Sequence, residues 1–270
     1  MRLNSLLVGV TALTGALTPI AGAQVIQPWG DPAPRAFSLE VNRPSFDGGG
    51  TSALTTVNQL GIRWSVGSMI LVGELPIVIA KPDGAQSGAT LIGNPLLAVA
   101  ANPSGEFIGE LGVRIPVARV TTFEKSFAQS VGLLADFVDF DAYLDDVLTI
   151  RGTMGYRHRS PEHFAWRVAL RPTFMAPTGS NSGDSELFLD YGFQVGYETE
   201  QFTAGALFNG RGIVTESGGS FGERTVHEIA LGGSLIAGQW RPGLIIRIPA
   251  DDALSNALQI TVGLKLEVTF

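Results

Sequence analysis

The last thirteen residues alternate strictly between apolar side chains and polar or small ones. This period of two places one set on each face of a β-strand and excludes an amphipathic helix. Ordinary strands have about five or six residues, whereas this segment is long enough to cross a bilayer at a tilt. The ending therefore predicts a membrane-spanning strand whose apolar face consists of Leu258, Ile260, Val262, Leu264, Leu266, Val268 and Phe270.

The same period recurs along the rest of the chain and defines the predicted fold. Strands are predicted near residues 37–42, 53–64, 69–79, 90–101, 106–118, 144–158, 163–175, 186–198, 201–213, 224–238, 240–249 and 256–270. Their connections alternate between short turns and longer loops, as in bacterial outer-membrane barrels. We predict an all-β, closed, antiparallel up-and-down transmembrane β-barrel of about 12 strands over residues 36–270.

Composition favours this barrel over a soluble fold. The chain is 45% hydrophobic and has 34 glycines, yet beyond its N-terminal region it has no apolar run long enough for a helical span. A soluble secreted β-sandwich is disfavoured by strand length and by the terminal phenylalanine. Aromatic side chains at the predicted periplasmic strand ends share the lipid-facing parity, as a membrane-interface belt requires: Trp64, Phe107, Tyr156, Trp166, Tyr197, Phe202, Trp240 and Phe270.

The N-terminus has the features of a secretory signal peptide. Arg2 gives a positive start, residues 6–20 are mainly apolar, and Ala21-Gly22-Ala23 supplies small residues for cleavage after Ala23. A membrane anchor is disfavoured because the apolar part is short and interrupted. Residues 1–23 are thus predicted to be removed, and residues 24–35, rich in proline, to form an extended periplasmic leader.

Charge and cysteine content exclude several functions. A net charge of −7 argues against nucleic-acid binding, which needs clustered basic residues. The chain has no cysteine, so neither disulfides nor thiol chemistry are available. We expect no cofactor. The expected partners are outer-membrane lipid, the assembly machinery of that membrane and a small-molecule permeant.

Two resemblances support a Gram-negative outer-membrane location. The alternating end that closes on Phe270 resembles the C-terminal signature read by the outer-membrane assembly machinery. Gly73-Glu74-Leu75-Pro76, Gly93-Asn94-Pro95-Leu96 and residues 172–179 resemble the outer-membrane transporter family associated with meta-pathway phenol degradation. That resemblance implies a barrel that passes small, often aromatic or hydrophobic compounds, and it implies no catalytic residue.

Charged residues on the parity opposite to the apolar set are predicted to point into the lumen. They would form either a selective eyelet or a salt-bridged filling that closes the barrel, and strand number does not decide between these. The set comprises Glu40, Arg63, Glu74, Glu110, Arg114, Arg151, Arg167, Arg171, Asp190, Glu228, Arg247, Lys265 and Glu267.

The long connection at residues 120–142 carries apolar side chains at helical spacing: Phe123, Phe127, Val131 and Leu134. We predict a short amphipathic helix there. The favoured position is the outer rim, since long barrel loops lie outside by default. The alternative is an inward fold that acts as a plug or gate.

Neither a metal site nor a catalytic site is predicted. The carboxylates of Asp136, Asp139, Asp141, Asp145 and Asp146 are hard oxygen ligands but lack the spacing of a calcium loop. His158 and Ser160 could suggest nucleophilic catalysis, but no third group is placed to orient the histidine.

The predicted function is a passive or gated channel for small solutes, aromatic or hydrophobic ones among them. The alternative is a closed barrel with a structural or adhesion role.

Overall fold

A computed structural model describes residues 33, 35–46, 54–83, 87–101, 106–137, 139–179, 183–216 and 221–270 of the chain. The predicted signal peptide, its cleavage after Ala23 and most of the predicted leader lie outside these residues. No helix in the described part is long and apolar enough to span a membrane.

The described residues form one antiparallel sheet that closes on itself. Strand β1 pairs with β2 on one side and with β13 on the other, where Ala36 lies opposite Thr269. Twelve strands make a closed wall and one short strand, β4, adds to it, so the predicted barrel is confirmed. The strands are β1 (Ala36–Phe46), β2 (Thr56–Val66), β3 (Met69–Ala80), β4 (Ala89–Ile92), β5 (Leu96–Ala101), β6 (Phe107–Arg114), β7 (Val147–Arg159), β8 (Phe164–Pro177), β9 (Glu186–Glu198), β10 (Phe202–Ile213), β11 (Thr225–Leu235), β12 (Trp240–Pro249) and β13 (Leu258–Thr269).

The strand predicted at residues 90–101 is broken into β4 and β5. Strand β5 pairs with Met69–Glu74 of β3, and β4 pairs with residues 77–80 of the same strand. Between them Gly93 still donates its N–H to the carbonyl of Pro76 at 2.9 Å. The ladder cannot continue through Pro95, which has no N–H, and the fully buried side chain of Asn94 satisfies loop backbone groups instead.

The two ends of the barrel differ in the length of their connections. At the end we call the turn end, the connections at residues 67–68, 102–106, 160–163, 199–201 and 236–239 are short; the connections between wall strands at the loop end are longer. Gly67 and Gly238 adopt φ of 60° and 61°, which suits tight hairpins. This alternation matches the predicted pattern, in which the turn end faces the periplasm.

The outward face of the wall is apolar. Large hydrophobic side chains such as Leu71, Leu97, Leu231 and Leu264 point outward and are exposed. At the turn end the ring of Trp64 lies 5.6 Å from that of Phe270, and further ring contacts join Phe107 to Tyr156, Tyr156 to Trp166 and Tyr197 to Phe202. Such a surface is suited to lipid with an aromatic belt at one interface.

Helical segments lie in the loop-end connections. Helix α1 (Phe123–Ala135) and a 3₁₀ turn (Phe140–Ala142) join β6 to β7, a second 3₁₀ turn (Phe221–Arg224) precedes β11, and α2 (Asp252–Ser255) joins β12 to β13.

Candidate functional site in the barrel lumen

The connection between β6 and β7 folds back into the barrel. Helix α1 packs on inward-facing side chains of β2, β3 and β4, including the buried Val57 and Val78. Across the lumen, Phe137 belongs to a buried cluster that includes Leu207 of β10. Because these clusters lie on opposite walls, residues 123–137 and 139–144 cross the lumen at the loop end. We call them the inner segment.

Helix α1 has local signals for both of its ends. The Thr122 hydroxyl accepts a hydrogen bond from the N–H of Lys125 at 3.3 Å, and the N–H of Asp136 donates to the carbonyl of Gly132 at 3.0 Å. A Cβ atom on Gly132 would lie 2.7 Å from the Tyr143 ring. Glycine is therefore needed where the helix meets the chain that returns to β7.

The predicted apolar row only partly matches the buried face of α1. Val131 is buried, while Phe127 and Leu134 are partly buried against the wall clusters. Phe123, however, is 61% exposed. The helix lies inside the wall and not on the rim that the sequence favoured, because its small residues allow close packing; these are Ala128, Gly132 and Ala135.

The carboxylate of Asp139 joins the inner segment to three neighbouring strands. Its Oδ1 lies 3.0 Å from both Arg151 Nη1 and Arg171 Nη2, and its Oδ2 lies 3.1 Å from Arg114 Nη2. Asp141 Oδ2 lies 3.1 Å from Arg114 Nε. These arginines belong to β6, β7 and β8, so one carboxylate ties the segment to a quarter of the barrel wall.

The aromatic ring between these two acids is also held by an arginine. The guanidinium carbon of Arg211 lies 4.6 Å from the ring centroid of Phe140 and 4.6 Å from that of Phe188 on β9. Arg211 Nε lies 2.6 Å from Asp190 Oδ1. Stacked cations of this kind attract the ring face. We call Arg114, Arg151, Arg171 and Arg211 the arginine cage.

Burial and charge set the protonation of the acids in the inner segment. Burial opposes ionisation of Asp139, but its three guanidinium neighbours outweigh burial and hold the pKa of the carboxyl well below its usual value. Burial, followed by the charge of Asp139, raises the pKa of Asp136 to about 7. The Tyr143 hydroxyl donates to Asp136 Oδ2 at 3.3 Å. The segment thus carries one firmly ionised acid and one that titrates near neutrality.

The Asn94 side chain clamps the inner segment to the break in the wall. Its Nδ2 donates to the carbonyls of Asp141 at 3.1 Å and Leu144 at 2.7 Å. Its Oδ1 accepts the N–H groups of Val117 and Ala118, each at 2.9 Å. The Asn94 amide thus donates two hydrogen bonds and accepts two, and all four join it to the connection between β6 and β7.

The charged residues predicted for the lumen all lie on the inward face of the wall. Outside the cage they pair with one another: Arg63 Nη1 with Glu267 Oε2 at 3.0 Å and Arg247 Nη2 with Glu40 Oε1 at 2.6 Å. A polar cavity of ≈ 30 Å³ remains beside Arg63. Each predicted lumen residue is buried, forms an ion pair with another inward residue, or both; these residues are Glu40, Arg63, Glu74, Glu110, Arg114, Arg151, Arg167, Arg171, Asp190, Glu228, Arg247, Lys265 and Glu267.

The prediction from sequence missed several residues that point into the lumen. Arg211 follows Asn209 by two positions, and Arg157 follows Arg151 by six, so both share the inward parity and could have been found by it. Near the turn end Arg157 pairs with Glu198, which is also 3.4 Å from Arg167 Nη2. No periodic signal indicates Asn94, because it lies outside the strand ladder.

The other candidates from the sequence have different surroundings. Ser160 accepts the backbone N–H of Glu162 at 3.2 Å, and His158 Nδ1 lies 3.9 Å from Glu106 Oε1. Asp145 and Asp146 pair with Arg119 at 3.4 Å and 2.8 Å. Within the described residues, no group of three or more His, Asp or Glu is arranged to hold a metal ion.

Comparisons with known proteins identify the fold. No protein-family model matches the chain, and no curated protein matches its sequence. The chain has the fold of outer-membrane β-barrels. It is similar to an outer-membrane channel from Pseudomonas putida F1, with 8% identity over 89% of this chain and 97% of that one and a TM-score of 0.57. It is also similar to LpxR from Salmonella typhimurium, with 12% identity over 87% and 100% and a TM-score of 0.54.

These similarities concern fold alone, since barrels of one architecture serve different functions. The β domain of the Bordetella autotransporter BrkA is similar too, with 11% identity over 88% of this chain and 100% of that one and a TM-score of 0.50. The resemblance to the phenol-degradation transporter family stays a prediction. So does the expectation that the chain is not an enzyme.

Proposed function

We propose that the protein is a gated channel of the Gram-negative outer membrane, closed by the inner segment and opened when that segment leaves the lumen. The observation that carries this proposal is the position of the inner segment across the lumen, against opposite walls. The outward apolar face and the aromatic belt of the barrel wall are suited to surrounding lipid.

The way the inner segment is held favours a gate over a fixed filling. The segment contributes no strand to the wall, so it can move without breaking a single rung of the barrel ladder. Asp139 and Asp141 hold it through ion pairs with wall arginines. Polar solutes and water can compete for such pairs, whereas a purely apolar plug would offer them no partner.

The permeant class is proposed from the lumen and from the sequence resemblance. Small solutes are proposed, because many inward side chains are buried and the polar cavity near Arg63 is small. The resemblance to phenol-degradation transporters suggests aromatic or hydrophobic compounds among them. Assembly would use the terminal Phe270, whose ring stacks on Phe37 at 5.2 Å.

A sealed structural barrel is the second candidate. The dense pairing of inward charges favours it, for example Asp190 between Arg171 and Arg211. Buried ion pairs that are fully partnered can act as a rigid filling.

An excision variant separates the two candidates. The Val120 N–H donates to Asp145 Oδ2 at 3.2 Å, so residues 121–144 can be replaced by a short Gly-Ser linker between neighbouring positions. Refolded wild type and variant are compared for flux of small sugars, phenolic acids and ions into liposomes. We expect faster flux in the variant.

A reversible cross-link provides the matched control in the full-length chain. The Thr261 hydroxyl lies 3.5 Å from the Ala135 carbonyl, so an Ala135→Cys/Thr261→Cys pair is chosen to staple the inner segment to β13, and loss of free thiol on oxidation is the check that the disulfide forms. The natural sequence has no cysteine. Flux should stop on oxidation and return on reduction, while each single-cysteine variant stays insensitive. A folded excision variant without flux would exclude the channel and favour the sealed barrel.

A further inference from the structure

The inner segment presents two carboxylates and one aromatic ring to the arginine cage. In the consecutive residues Asp139, Phe140 and Asp141, both acids pair with Arg114 and the ring stacks on Arg211. The cage thus contacts the chemical groups of an aromatic carboxylate, supplied by the chain itself. Guanidinium groups recognise carboxylates and stack on rings.

The charge balance of the cage depends on these two acids. The four guanidinium groups are at most 4% exposed. Their wall partners include Asp190 and Glu74, with Glu110 more distant at 3.9 Å from Arg151. When the inner segment leaves, the cage loses the carboxylates of Asp139 and Asp141. Neighbouring charges of one sign repel one another, so the vacated cage favours an anion.

We infer that the arginine cage is a binding site for a small aromatic carboxylate, and that residues 139–141 are a built-in occupant which this solute displaces. The inference rests on the proposed function, because displacement requires the inner segment to move. Binding of the solute then opens the channel in which the solute travels.

The wall contributes the aromatic selectivity. When Phe140 withdraws, Arg211 stays over the ring of Phe188, since Phe188 belongs to β9 and does not move with the segment. The position left by the Phe140 ring, whose centroid lies 5.8 Å from that of Phe188, becomes available to the ring of the solute. A carboxylate on that ring would take the place of Asp139, between Arg151 and Arg171.

Competition between residues 139–141 and the free solute indicates the solute concentration that opens the channel. A tethered group acts at an effective concentration on the order of millimolar. A free carboxylate must compete with it, so half-maximal opening is expected at millimolar concentration or above. This range suits a channel that responds to abundant external solute.

A buried reporter measures opening directly. Ala128 is fully buried in the packing of α1 against the wall. In an Ala128→Cys variant, a water-soluble maleimide should react only when the segment leaves. Benzoate should accelerate labelling about tenfold at saturation, acetate less, and benzyl alcohol not at all, since a ligand shifts an equilibrium by its differential affinity.

Variants separate the charge from the ring. Arg171→Gln should abolish the response to benzoate, and Phe188→Leu should reduce it to that of acetate. Arg241→Gln is the matched control, because Arg241 pairs with Glu267 outside the cage at 3.5 Å; its response should equal that of the unsubstituted reporter protein. Equal acceleration by acetate and benzoate would overturn the assignment of an aromatic ligand.

A second measurement avoids the cysteine. The barrel lacking residues 121–144 should prefer chloride over potassium in a salt gradient, and benzoate should block its current. An excised barrel that conducts without anion preference and ignores benzoate would overturn the binding site but leave the channel intact. An excised barrel that does not conduct would instead refute the proposed function.

Discussion

Replacing Asn94 should release the inner segment without unfolding the barrel. The Asn94→Ala substitution removes four hydrogen bonds to the connection between β6 and β7, of 2.7–3.1 Å. It removes no ladder bond, because Asn94 lies in the break between β4 and β5. The closed state should therefore lose stability relative to the open state while the wall stays folded.

The size of the effect follows from the number of bonds. Each hydrogen bond contributes about 1 kcal/mol net, and the two bonds to Asp141 and Leu144 are the ones that hold the inner segment, so they amount to roughly 2 kcal/mol, with a range of roughly 1–3 kcal/mol. Each 1.4 kcal/mol changes an equilibrium constant about tenfold. The open fraction should thus rise about thirty-fold, unless the segment is already fully released before that value is reached.

Maleimide labelling of the Ala128→Cys reporter measures this fraction, because the rate follows the open population when opening is fast. Asn58→Ala is the matched control: Asn58 Nδ2 donates to the carbonyl of Ile77 at 3.2 Å and does not contact the inner segment. An unchanged labelling rate in folded Asn94→Ala protein would show that Asn94 does not hold the segment closed.

Three further predictions concern other contacts. Burial in the closed state raises the pKa of Asp136 to about 7, so closure is most stable below the ordinary carboxyl pKa and weakens as pH rises through about 7. Reporter labelling, corrected for the pH dependence of the thiol reaction, should therefore rise from pH 5 to 8. The Asp136→Asn variant should not show this rise. Arg211→Lys loses the guanidinium that lies over the rings of Phe140 and Phe188, with contacts worth about 1–2 kcal/mol, and should increase labelling several-fold; labelling equal to that of the unsubstituted reporter protein would argue against these contacts. Phe270→Ala should lower the folded fraction in cells, measured by heat-modifiable gel mobility, and normal assembly would argue against its role as an assembly signal.

Strand positions and faces could be predicted because they depend on a local pattern. In β13, alternate residues from Leu258 onward are enough to assign the strand and its lipid face. The same parity assigned residues such as Arg171 and Glu228 to the inside, where they are buried. It could also have found Arg211.

The break at Asn94 could not be read from this pattern. The alternation from Thr90 to Ala101 fits a single strand, and Pro95 alone does not exclude it, since Pro44 lies within the paired strand β1. The break depends on the carbonyls of Asp141 and Leu144, which come from a part of the chain about fifty residues away.

The same distinction applies to the candidate site. Periodicity within Phe123–Ala135 predicted a helix, but an amphipathic helix fits an outer rim as well as a lumen. Only closure of the wall brings the arginines of β6, β7, β8 and β10 to one level, where Asp139 and Phe140 meet them. Alternation along a strand is decided by neighbouring residues, whereas the partners of a buried charge are decided by the register of strands far apart in the chain and by where the long connection folds.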